Sequence, residues 1–129
     1  MSRETKITVL VVEPQKKPYV KEIENTLASL QREVGGYIQV IYPFEEQVAL
    51  IADEESKLKG APLNRALRDE NGEVYDIIAG TFLVVGLTED DFGSLGEEYI
   101  QKFNEFFGSP EIFINLGGGL VIVSVYSDA

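Results

Sequence analysis

The chain has no cysteine and no histidine, and these two absences remove most familiar catalytic chemistry. Without cysteine there is no disulfide framework and no thiolate, which is compatible with a cytoplasmic setting. Without histidine the chain cannot assemble a Ser-His-Asp or Cys-His site or an ordinary zinc site. Acid–base work would fall to carboxylates, lysine and tyrosine. These gaps predict a protein that is not an enzyme. A carboxylate-dependent hydrolase is the enzyme class left open, and no paired acids in a glycine-framed signature support it. Long apolar runs are also missing: nothing approaches the roughly 20 residues that span a bilayer. The opening Met1-Ser2-Arg3-Glu4-Thr5-Lys6 has no small-residue cleavage site, so no secretory leader is expected.

Positive charge is scarce too. Against 22 Asp and Glu stand 11 Lys and Arg, a net charge of -11. That balance opposes direct binding to phosphate backbones, because repulsion acts before contacts form. It serves solubility, or it lets an acidic surface imitate nucleic acid in a basic groove on a partner.

What is present is an ordinary globular composition, 44% hydrophobic and 26% charged over 129 residues. One domain and one core are expected. Residues 6–12 (KITVLVV) read as a strand stopped by Glu13-Pro14. Val20, Ile23, Leu27, Leu30 and Val34 recur at spacings of three and four, predicting a helix over 18–34 closed by Gly35-Gly36. Strands are expected over 37–42 and 47–52, with a polar turn over 53–60. Residues 61–69 read either as a helical turn or as an extended crossing. Asn71-Gly72 signals a hairpin. Residues 74–87 read as two short strands or one bent strand interrupted at Gly80. An acidic loop over 88–95 carries Glu89, Asp90 and Asp91. A second helix over 96–107 places Tyr99, Ile100, Phe103, Phe106 and Phe107 on one face. Strands over 111–115 and 120–126 flank Gly117-Gly118-Gly119, which precedes a strand and lacks the residues of a phosphate loop. The fold class expected is α+β: a mixed or antiparallel sheet of five or more strands with two main helices packed on one of its faces.

The central segment concentrates polar groups that a plain fold does not require. Lys57, Lys59, Arg65 and Arg68 fall within twelve positions of an acidic chain, a local reversal of sign suited to an anionic ligand. Arginine supplies the fork that phosphate favours, and Asn64 offers both donor and acceptor. Gly80 permits close backbone approach, Thr81 adds a hydroxyl, and Tyr75, with Tyr37 and Tyr42, suits stacking on a base. The ordinary structural reading stands beside this one. There Asn64 caps a turn, Arg65 and Arg68 pair with acids such as Asp69 and Glu73, and Gly80 marks a bulge. No metal site and no cofactor are expected, since the Glu89-Asp90-Asp91 run is too short for calcium.

Val11-Val12-Glu13-Pro14, Gly35-Gly36-Tyr37-Ile38 with Tyr42-Pro43-Phe44, Pro62-Leu63-Asn64-Arg65-Ala66-Leu67 and Asp76-Ile77-Ile78-Ala79-Gly80-Thr81-Phe82 together resemble domain of unknown function family 3846. Its members are small proteins encoded largely by bacteriophages and mobile elements. The resemblance spans about residues 6–110 and leaves 116–129 beyond it. It implies no established activity, but it does imply a setting inside a bacterial host, where countering defence is a common task. The leading expectation is a non-catalytic domain that sequesters an anionic nucleotide-type ligand, such as a defence signal. The alternative is an acidic nucleic-acid mimic that binds a basic host protein or nuclease. Residues 120–126, apolar on both faces, are expected either to be buried against a second copy through an edge strand, giving homo-oligomers, or to be buried inside the monomer.

Overall fold

The computed structural model describes residues 5–125. A six-stranded sheet runs in the order β2 (Tyr19–Glu24), β1 (Lys6–Val12), β7 (Phe82–Leu87), β4 (Val48–Asp53), β3 (Ile38–Ile41), with the short β8 (Phe92–Gly93) paired to β7. Every pairing in it is antiparallel. Two separate two-stranded ribbons join β5 (Leu63–Arg68) to β6 (Val74–Ala79), and β9 (Glu111–Asn115) to β10 (Leu120–Ser124). The helices are α1 (Leu27–Val34) and α2 (Glu97–Phe106). This is the expected α+β class. The predicted extension of the last strand to Tyr126 lies outside the described residues.

The helices cover opposite faces of the sheet, not one face. Leu30 and Val34 of α1 pack with Ile7, Val9, Val11, Ile51, Leu83 and Val85. Phe103 of α2 and the following Phe107 pack with Leu10, Val12, Leu50, Phe82 and Val84. The cause lies in the central strands. In β1, β4 and β7 successive residues alternate between the two clusters, and both sets are apolar. A strand apolar on both sides must be covered on both sides. Around α2 the rings of Phe44, Phe82, Phe103, Phe106 and Phe107 meet at centroid separations of 4.7–6.4 Å, mostly tilted or edge-on.

The first helix is shorter than its apolar spacing predicts, because 19–24 pairs along β1 as an edge strand. Ile23 is buried in that strand, while Val20 and Leu27, expected on the helical stripe, are exposed. The open edge of β1 offers main-chain hydrogen bonds that override a helical period built on few residues. The helix begins where Thr26 caps it, its Oγ1 accepting from Ser29 N at 3.1 Å. It stops at Gly35, whose φ of 91° is left-handed. Residues 61–69 resolve as extended chain forming β5, and Gly80, with φ 75°, divides β6 from β7.

Candidate functional site

Two neighbouring residues in the middle of β5 behave unlike any surface polar group. Asn64 is 0% exposed and Arg65 2%. Asn64 Nδ2 donates to Val12 O at 2.9 Å and Gly80 O at 2.8 Å, tying the β5–β6 ribbon to the end of β1. Its Oδ1 accepts from Arg65 Nη1 at 2.8 Å. Arg65 Nε and Nη2 both donate to Phe107 O, at 3.2 and 2.9 Å, and Nη2 also donates to Lys16 O at 2.8 Å. A further bond from Nη1 reaches Asn64 O at 3.3 Å. A guanidinium has five N–H donors, and these bonds use them all on protein acceptors. Phe107 O sits at the C-terminal end of α2, where orphan carbonyls and the helix dipole favour a cation. The last turn of α2 holds no basic residue of its own, so β5 supplies one. Burial pushes the Arg65 guanidinium down from its ordinary range, and the charge of Glu111 opposes that shift.

Glu111 is the next member of this network. It is buried at the start of β9, with Oε1 accepting from Ala66 N and Oε2 from Arg68 Nη2, both at 2.8 Å. Arg68 itself is half-exposed, its side chain 41% accessible. It lines a shallow hollow with Arg65, Asp69, Phe106, Ser109 and Glu111.

The remaining predicted residues lie elsewhere. Lys57 Nζ pairs with Asp76 Oδ1 at 3.0 Å beside a second hollow lined by Gln39, Ile41, Asp53 and Ser56. Lys59 Nζ pairs with Asp53 Oδ2 at 2.8 Å and donates to Gly35 O at 3.1 Å, fastening the 53–60 turn to the end of α1. Gly36 lets this pair approach the backbone: a Cβ at this position would stand 2.6 Å from both Asp53 Oδ1 and Lys59 Nζ, so the ion pair would have to shift. Tyr75 is exposed on β6, and Thr81 is half-buried between β6 and β7. The eight residues therefore do not converge on one cleft. Arg65 and Arg68 share a hollow, Lys57 borders another, and each of the four cations is already bonded within the chain.

Carboxylates converge instead. On the outer strand β2, Glu22 and Glu24 oppose Thr8 and Lys6 and share their face. That face is the one α2 covers, since Leu10 and Val12 continue the alternation into its cluster. The lead-in to α2 is pinned to the same point of β1. Thr8 N donates to Ser94 Oγ at 3.0 Å, and Leu95 N to Thr8 O at 2.8 Å. Glu97 and Glu98 open the helix directly after. The 88–91 loop comes to the same end, because Asn25 Nδ2 donates to Phe92 O at 3.2 Å. Thr88 and Asp91 shape that loop through Thr88 Oγ1 to Asp91 O at 2.9 Å and Asp91 N to Thr88 Oγ1 at 3.1 Å. Glu89 and Asp90 stand exposed at its tip. Glu22, Glu24, Glu89, Asp90, Glu97 and Glu98 thus gather at one edge from three distant stretches, with Lys6 set opposite Glu24 by the β1–β2 register. Glu97 and Glu98 also suit a helix N-terminus, so part of this acidity is structural. The sequence reading missed the β2 acids, because a helix over 18–34 turns them elsewhere.

Among the described residues no cluster of His, Cys, Asp or Glu is placed to hold a metal ion. No helix among them is long and apolar enough to cross a membrane. The family model described as Domain of unknown function (DUF3846) matches residues 7–108, and the chain belongs to that family. No curated protein and no solved structure matches it.

Proposed function

We propose that this chain is a non-catalytic binding domain that engages a basic protein, presenting carboxylates where nucleic acid would present phosphates. The convergence of Glu22, Glu24, Glu89, Asp90, Glu97 and Glu98 at one edge carries this reading. A chain of net charge -11 creates a field that steers a basic partner toward it. The family's setting in phages and mobile elements favours a host nuclease or other defence protein as that partner.

A second reading, sequestration of an anionic nucleotide-type ligand, rests on the hollow beside Arg68. There the half-exposed guanidinium lies near exposed Phe106, a pairing of phosphate fork and stacking ring. An anion would have to displace Glu111 from Arg68, and the cations of the central segment are otherwise committed. Protein purified from defence-active cell extract, heated, and assayed for released small molecules by mass spectrometry separates the two. The protein-binding reading expects no nucleotide above background. A nucleotide retained by the wild-type chain and lost from Arg68→Ala would replace it with sequestration.

A further inference from the structure

The β9–β10 ribbon lies beyond the family match, which ends at residue 108, and its chemistry differs from that of the body. Residues 112–125 contain no charged side chain, in a chain of net charge -11. The register decides which side chains share a face, because directly opposed residues in an antiparallel pair project to the same side. Val121 opposes Ile114 and Val123 opposes Ile112, so one face is wholly aliphatic and β-branched. On it Ile112, Ile114, Val121 and Val123 are 40%, 41%, 40% and 43% exposed. The other face carries Glu111 opposite Ser124, Phe113 opposite Ile122 and Asn115 opposite Leu120. Glu111 is buried against β5, Phe113 and Ile122 are half-buried, and Leu120 at the turn end is exposed. The ribbon turns its mixed face to the body and its aliphatic face to water. Neither strand has a further ladder partner among the described residues. A ribbon of two strands standing free is marginal in water, and a continuous exposed aliphatic face marks an interaction surface.

We infer that this face is a homodimer contact, on which a second copy of the chain lays the same four side chains about a two-fold axis. The charge pattern selects this occupant. The ribbon's exposed aliphatic face has no carboxylate to attract a basic partner. Lys17, the cation lining the hollow beside Ile112 and Val125, is too little positive charge to hold an anionic lipid surface. Two copies of a chain this acidic repel one another everywhere that charge is exposed, and they can meet where none is. An isologous contact needs only self-complementarity. Two stacked faces of Ile and Val meet that condition at the usual sheet spacing of about 10 Å. Their stiff β-branched side chains lose little rotamer freedom on burial.

The inference is independent of the acidic edge, and salt distinguishes the two. Screening relieves repulsion between like copies, so dimerisation tightens as salt rises, whereas a complex with a basic protein weakens. Light scattering on the full chain should give twice 14.3 kDa at high micromolar concentration, with the dimer favoured by added salt. Val121→Lys with Val123→Lys should give the monomer mass. Should that variant fail to fold, Val121→Thr with Val123→Thr keeps the shape and β preference, and should weaken the dimer about tenfold or more. A wild-type particle of 14.3 kDa at every concentration and salt level overturns the inference. So does a folded variant that keeps the wild-type dimer affinity.

Discussion

Replacing Arg65 should unfold the protein more readily than it affects any ligand, and the size of the effect follows from its bonds. Arg65→Ala strips the donors from Phe107 O, Lys16 O and Asn64 Oδ1, and leaves a hole where the largest fully buried side chain stood. Each buried acceptor left unsatisfied costs about 1–3 kcal/mol, and the costs do not add in full. Relaxation and water entry recover part of the loss, so a net destabilisation of about 3–5 kcal/mol is expected. For a chain of this length that is a fall in Tm of roughly 10–20 °C. Arg65→Lys should recover little of it, because an ammonium cannot reproduce the planar fork that reaches three backbone carbonyls and a side-chain amide at once. Arg68→Ala is the internal comparison. Its partner Glu111 keeps the Ala66 amide on one oxygen, so a single buried acceptor loses its donor, at about 1–3 kcal/mol. Thermal unfolding followed by circular dichroism measures all three. An Arg65→Ala protein melting within about 3 °C of wild type would refute this structural role for Arg65. It would also return Arg65 to the list of ligand residues.

Two titrations test smaller parts of the structure. Tyr19 Oη donates to Glu13 Oε2 at 2.6 Å, and this bond, with burial and the Glu13 charge, pushes the phenol up to about 12. A raised pKa means stability that is present below the ordinary value of 10.0 and lost as pH rises through about 12. Ultraviolet titration should show one late-ionising tyrosine that disappears in Glu13→Gln; an unchanged profile would contradict it. For Asp53, burial raises the carboxyl's pKa, but the Lys59 hydrogen bond, the Glu55 amide and the Lys59 charge outweigh it, leaving the group below its ordinary 3.8. Stability from a depressed carboxylate is present above 3.8 and lost as pH falls through the lower folded value. Asp53→Asn should therefore melt earlier than wild type near neutrality, and the gap should close in strong acid. A gap that does not vary with pH would rule this out.

Much of the fold was legible because local signals and tertiary demands agreed. Asn71-Gly72 marks a real hairpin, with Gly72 at φ 80°, and Gly35 closes α1 where expected. The failures have physical causes. Val20 and Ile23 fit a helical period, yet an open strand beside them claimed the backbone of β2. Thr26, with its side chain free to cap, was the overlooked sign that the helix starts later. The unbroken apolar runs of β1 and β7 already implied a sheet covered on both sides, and hence helices on opposite faces. The candidate ligand residues were harder to place. An Asn-Arg pair looks the same in sequence whether it faces a phosphate or a helix C-terminus. Its position inside an apolar strand, between Leu63 and Ala66, was the hint that it is interior. The acidic edge depends on three segments meeting, and only the Glu89-Asp90-Asp91 run is visible locally.

The acidic edge itself is tested most directly by quantitative capture from a bacterial extract, comparing wild type with Glu89→Lys, Asp90→Lys, Glu98→Lys. These side chains stand exposed, and Asp91 is left alone because it shapes its loop. The wild-type chain should retain a basic protein whose recovery falls steeply with salt, and the reversed variant should lose at least about tenfold in affinity for it. Both chains retaining the same proteins in the same amounts, with no dependence on salt, would contradict the account.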